Sequence, residues 1–194
     1  MKNFHVFLVT TILLYALTVP AHANLTDRGN GLIYDDDLNI TWLQDANHSG
    51  ITMTWTEAAL WADNLVFQGF DDWRLPASDT SCTSNSCTGS EMGHLFYTEG
   101  ITSASTGLFV NVKPSMYWSG TEYDPDLSQA WRFNFKYGTQ DISSKTSTRY
   151  AWAVREGDSA PPVAPEPVSS VLFVAGGTVL AIKRYKGKGR KFNS

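Results

Sequence analysis

The chain has 194 residues, room for one ordinary domain and short processing segments. Its 42% hydrophobic content and its seven Trp, eight Tyr and ten Phe are too much apolar surface for a disordered chain. The formal charge of −4 hides a partition: between Asn24 and Pro167, eight Lys and Arg face all 19 Asp and Glu, a charge of −11. Such a segment repels phosphate backbones, which argues against nucleic acid as a partner.

Residues 1–23 follow secretory grammar. Lys2 supplies the positive start, Val6 to Val19 is an apolar stretch, and Ala21-His22-Ala23 gives the small-x-small pattern of a cleavage site. A signal peptide cut after Ala23 is expected. A retained membrane anchor is the alternative, against which stand the shortness of the run and its cleavage site.

Residues 24–158 then form the expected globular domain. Gly31–Tyr34 and Ile40–Leu43 read as two short strands, joined through Asp35-Asp36-Asp37-Leu38-Asn39, whose side chains favour a turn. Three adjacent carboxylates also admit calcium, although a calcium loop wants spaced oxygen ligands. Thr54-Trp55-Thr56-Glu57 fits a capping box. The helix it opens carries Trp55, Ala58, Ala59, Ala62, Leu65 and Val66 on one face, with Gly69 beyond its end. The small Ala side chains would let a sheet approach closely.

Asp71-Asp72-Trp73-Arg74-Leu75-Pro76 is a corner in which Arg74 is expected to pair with a preceding carboxylate. Cys82 and Cys87 lie in a Ser/Thr-rich loop. In an exported protein they are expected to pair, closing a small loop worth about 2 kcal/mol. Ser90 caps a short helix with Met92, Leu95 and Phe96 inward, and His94 reads as a satisfied interior or boundary residue. Trp131, Phe133 and Phe135 alternate with Arg132, Asn134 and Lys136, and Tyr150, Trp152 and Val154 alternate likewise, as in antiparallel strands with one face packed. Strands, helices and strands again give the class α+β.

From Ser159 the composition turns to Ala and Pro, an extended linker over 159–167. Residues 168–194 follow: an apolar run, Val168 to Ile182, and a basic cluster from Lys183. About 15 residues at a rise of ~1.5 Å cover roughly 22 Å, short of the ~30 Å hydrocarbon core, so membrane insertion through this helix is expected to be transient. Pro165-Glu166-Pro167, the apolar run with Gly176-Gly177 and the basic end resemble the PEP-CTERM sorting signal. That resemblance implies a Gram-negative bacterium exporting exopolysaccharide, with an exosortase-type enzyme as processing partner. A simple tail anchor is the alternative.

Trp55 to Ala62, Trp73-Arg74-Leu75-Pro76, Glu91 to Tyr97, Tyr117-Trp118-Ser119-Gly120-Thr121, Ala130 to Phe135 and Tyr150 to Arg155 occur in a telling order. Together they resemble the Lcl C-terminal domain family, also called domain-of-unknown-function family 1566, over roughly Gly31 to Arg155. The resemblance implies a C-type-lectin-like fold, two helices packed on short antiparallel β-sheets, related more distantly to the sulfatase-modifying formylglycine-generating enzymes. Adhesin members bind sulfated polysaccharides, but the charge of this domain suits a neutral sugar or a protein partner better.

For catalysis the sequence offers little. His48 and His94 are far apart, and no nucleophile elbow, phosphate loop or zinc motif is present. No cofactor is expected, and the lectin-type calcium and sugar motifs are absent. Binding finds its candidates in Trp118 and the loop that follows, where Tyr123, Asp124 and Asp126 combine an aromatic face with carboxylates. A solvated polar turn shaped by Pro125 is the plainer account of that loop. The expectation is an exported, non-catalytic module of the cell surface or exopolysaccharide matrix, with a passive structural protein as the alternative.

Overall fold

The structure, a computed structural model, describes residues 25–159. The expected signal peptide with its cut after Ala23, the Pro165-Glu166-Pro167 motif and the apolar and basic tail lie outside the described residues. Ser159, assigned above to the linker, is buried and accepts a hydrogen bond from Arg155 Nη1 at 2.6 Å.

Two antiparallel sheets and two helices make up the domain, an α+β arrangement. Strands β1 (Leu25–Gly29), β2 (Leu32–Asp35), β3 (Ile40–Leu43) and β7 (Val154–Glu156) form one sheet in that spatial order. Strands β4 (Met116–Glu122), β5 (Gln129–Asn134) and β6 (Thr139–Ser144) form the other. Between β3 and β4 come helices α1 (Trp55–Asp63) and α2 (Glu91–Tyr97). Strand β1 carries little apolar patterning and is defined by its pairing with β2.

Both helix starts follow local chemistry. Thr54 and Glu57 form a reciprocal capping box: Glu57 N donates to Thr54 Oγ1 at 3.4 Å and Thr54 N donates to Glu57 Oε2 at 2.9 Å. Ala58 and Ala62 are buried, and α1 lies against β4. The helix ends at Asp63, short of Leu65 and Val66, and Val66 is exposed. Ser90 Oγ accepts from Gly93 N at 3.1 Å and begins α2. A side chain at Gly93 would collide with the Cys87 carbonyl, so only glycine lets α2 sit on the loop closed by the Cys82–Cys87 disulfide.

The segment 149–154 behaves differently from the one-faced strand its alternation suggests. Ala151 and Ala153 are as buried as Trp152 and Val154. The reason is position: this segment is the seam between the sheets. Trp118 N donates to Tyr150 O on one side, Leu43 N donates to Ala153 O on another, and Val154 exchanges hydrogen bonds with Arg74. Around the seam the aromatic residues meet edge-on, Trp152 with Trp42 at 5.1 Å and with Phe109 at 5.0 Å. Trp152 Nε1 donates to Leu43 O at 2.7 Å, which satisfies its polar tip inside the core.

Candidate functional site

A groove of about 450 Å³ opens between α1 and the Trp73–Ala77 corner, floored by the end of β4. Trp55, Ala59 and Leu60 form the α1 wall, with Asp63 at its end. Gly120 belongs to the floor because the corner comes close: a Cβ there would stand 3.2 Å from the Leu75 carbonyl. Trp55 is held by its indole N–H, which donates to Ser119 O at 2.8 Å. The Lys145 ammonium lies 4.2 Å from its ring and pairs with Glu122 at 3.2 Å.

Arg74 borders the groove but is fully engaged. It forms a two-pronged pair with Glu91, Nη1 to Oε2 at 2.8 Å and Nη2 to Oε1 at 2.7 Å, and bonds the Leu75 carbonyl and Glu156 as well. Glu91, through these bonds above all, raises the basicity of the guanidinium further, so it is cationic at every accessible pH. The expected pairing with a preceding carboxylate is therefore corrected. Asp72 turns to Arg155 instead, at 2.7 and 2.9 Å, because β7 delivers Arg155 and Glu156 to opposite sides of the corner.

The structure spreads the four sequence candidates apart. Trp118 is fully buried, with its indole N–H on Met53 O at 3.0 Å, and offers no face to a ligand. It belongs to the central stretch of β4, and its polar neighbours in sequence gave a false sign of exposure. Tyr123 packs edge-on against Trp131 at a centroid distance of 6.0 Å. Asp126 closes its own turn, accepting from Ser128 N, Ser128 Oγ and Gln129 Nε2, bonds that hold its carboxyl below the usual range. Asp124 is exposed on the same turn. The loop is shaped as a turn by these bonds, and the groove was missed because its walls come from three distant segments.

A second group of side chains gathers where β2, α2 and the turn after α2 meet. Asp35, His94 and Glu99 each bring a ligand-type atom within 4.8 Å of the others. The adjacent aspartates of the β2–β3 turn do not act as a set. Asp35 points inward with Oδ1 accepting from Leu38 N at 3.1 Å, while Asp37 is half exposed. His94 Nε2 lies 3.4 Å from Glu99 Oε1, 3.8 Å from Asp37 Oδ2 and 3.9 Å from Asp35 Oδ1. Burial pushes the Asp35 carboxyl up. Burial first and the Asp35 charge next push Glu99 up. His94 is thus interior, but it is not satisfied: its Nε2 has no hydrogen-bond partner.

Among curated proteins, none matches the chain. The model of the Lcl C-terminal domain matches residues 31–155, from the glycine before β2 through the second residue of β7. That span takes in both helices, the groove and the His94 group, and the chain belongs to the Lcl C-terminal domain family.

Proposed function

We propose that the chain is an exported, non-catalytic binding module of the cell surface or exopolysaccharide matrix, which takes a neutral glycan segment in the groove between α1 and the Trp73–Ala77 corner. Membership of the Lcl C-terminal domain family supports a surface or secreted module. The small-x-small site at Ala23 and the sorting-type tail support export, processing by an exosortase-type enzyme and transient membrane insertion. A C-type-lectin-like arrangement is the fold reading that the two helices on antiparallel sheets favour.

The observation that carries the ligand class is the groove's lining. Its walls are largely apolar, and its one cation, Arg74, has its donors committed to Glu91, Glu156 and Leu75 O. Elsewhere Arg28, Arg132, Lys145 and Arg155 are each held in an ion pair with a carboxylate, and Lys113, Lys136 and Arg149 stand outside the groove's lining. A sulfated polymer needs cations it can recruit, whereas a neutral sugar needs an apolar face and a few hydroxyl partners, here Asp63 and Thr121. Asp63 is also the one carboxylate of the lining, where glycoside hydrolysis would use two.

The test is a glycan array probed with the processed full chain and with Ala59→Phe, which fills the groove without removing a hydrogen bond. Binding to neutral glycans that Ala59→Phe abolishes, with the melting temperature unchanged, is the expected result. A flat array favours the passive matrix protein, and a preference for sulfated glycans defeats the neutral-ligand reading.

A further inference from the structure

The His94 group lies apart from the groove's lining and poses a problem the protein does not solve from its own atoms. Asp35 Oδ2, His94 Nε2 and Glu99 Oε1 are sealed from water, and none has a hydrogen-bond partner. The side chains are 1%, 12% and 7% exposed, respectively. Buried polar atoms are normally satisfied, and a stranded carboxylate costs more than a stranded amide. Three on one spot call for a common partner. A proton on Nε2 serves one carboxylate and leaves the other oxygen facing it uncompensated. A divalent cation serves all three donors together.

The spacing suits such an ion. Bonds of about 2.0–2.2 Å from a tetrahedral or octahedral centre hold neighbouring ligand atoms roughly 3–3.5 Å apart. The observed 3.4 Å from His94 Nε2 to Glu99 Oε1 already meets this. The Asp35 carboxylate, whose Oδ1 stands 3.9 Å from Nε2, brings a ligand atom within 4.8 Å of both and must move inward to complete the set. The donors are also aimed. Leu38 N fixes the Asp35 carboxylate through Oδ1 and leaves Oδ2 without a partner, His94 is carried in the last turn of α2, and Glu99 N bonds the His94 carbonyl at 3.2 Å. The Trp42 indole lies near enough to Asp35 to favour its charged form without reaching hydrogen-bond geometry.

We infer that Asp35, His94 and Glu99 form a binding site for a divalent transition ion of the zinc or manganese kind, with Asp37 closing it from the solvent side. One imidazole with carboxylates is a borderline nitrogen and oxygen donor set that suits these ions, whereas calcium prefers six or more oxygens. The ion would tie the β2–β3 turn to the end of α2. This inference stands independently of the groove and its ligand.

The test titrates the full chain, stripped with EDTA, with Zn²⁺, Mn²⁺ and Ca²⁺ by calorimetry, and melts it with and without each ion. One equivalent of Zn²⁺ or Mn²⁺, bound at least tenfold more tightly than Ca²⁺ and raising the melting temperature, is expected. His94→Gln and Glu99→Gln should each weaken that binding at least tenfold. Asp37→Asn, an exposed change that leaves the core intact, should weaken it a few-fold. No stoichiometric binding, unaltered binding in His94→Gln and Glu99→Gln, or Ca²⁺ bound as tightly as Zn²⁺ would each overturn the assignment.

Discussion

Helix α2 carries two charged clusters one turn apart, and they are built to opposite rules. At its first residue, Glu91 receives both prongs of Arg74 and also the Ala77 amide, at 2.7 Å. At its last turn, His94 faces Asp35, Asp37 and Glu99, and three buried atoms are left without partners. The chain places a guanidinium in the first cluster and no Arg or Lys in the second. Where a domain places a guanidinium among carboxylates it makes a staple. Where it gathers carboxylates around an imidazole and adds no guanidinium or ammonium, the divalent ion inferred above would supply the balancing charge.

Removing the cation from the satisfied cluster gives the largest expected effect. Arg74→Ala leaves Glu91, only 15% exposed, without its main partner and loosens the corner from β7. Breaking a buried pair from one side costs about 3 kcal/mol, toward the low end here because Arg74 is one-third open to water. Urea denaturation should show that loss. Arg74→Lys should recover little of it, since an ammonium cannot reproduce two parallel bonds to Glu91 and a third to Glu156. Full recovery by Lys would mean that charge alone, rather than the fork geometry, holds the corner.

The same kind of deletion in the unsatisfied cluster should have the reverse sign. Asp35→Asn keeps an oxygen for the Leu38 amide, removes one buried negative charge, and turns Oδ2 into a donor. In EDTA this variant should be more stable than the parent by about 1 kcal/mol, a gain of a few degrees in melting temperature. With Zn²⁺ present the order should invert, because the parent gains more of the ion's binding energy than the variant does. A loss of stability in EDTA comparable to that of Arg74→Ala would erase the distinction between the clusters.

What the sequence discloses and what it hides divide along the same line. The capping box at Thr54 and Glu57, the Ser90 cap, the hairpin of β2 and β3 and the disulfide of Cys82 and Cys87 are short-range, and each is written within a few residues. The partners of Arg74 come from α2 and from β7, and no local pattern ranks them above Asp71 or Asp72. The His94 group was equally hidden, although one signal existed. Period-two alternation puts Asp35 on the same face as Ile33, so the first aspartate of the triplet was due to point inward. Trp118 misled for the opposite reason. An aromatic residue next to a polar loop looks like a binding platform until the register places it between Arg132 of β5 and Tyr150 of the seam, fully buried.

A third charge pair calibrates the first two and carries the smallest effect. Arg155 grips Asp72 through two hydrogen bonds, which hold the Asp72 carboxyl below its usual range, but half of the Asp72 side chain is open to water. A carboxylate whose folded pKa is depressed contributes stability above its unfolded value of about 3.9, and the contribution is lost as the pH falls through the folded value. Asp72→Asn should therefore cost at most about 0.5 kcal/mol, after allowance for solvent screening, evenly between about pH 5 and 7. The two urea midpoints should converge as the pH falls from the unfolded value through the depressed folded one. If the difference persists unchanged in acid, Asp72 acts through the placement of Arg155 over Phe70 rather than through its charge. Solvent exposure would then not be what separates this pair from the buried clusters on α2.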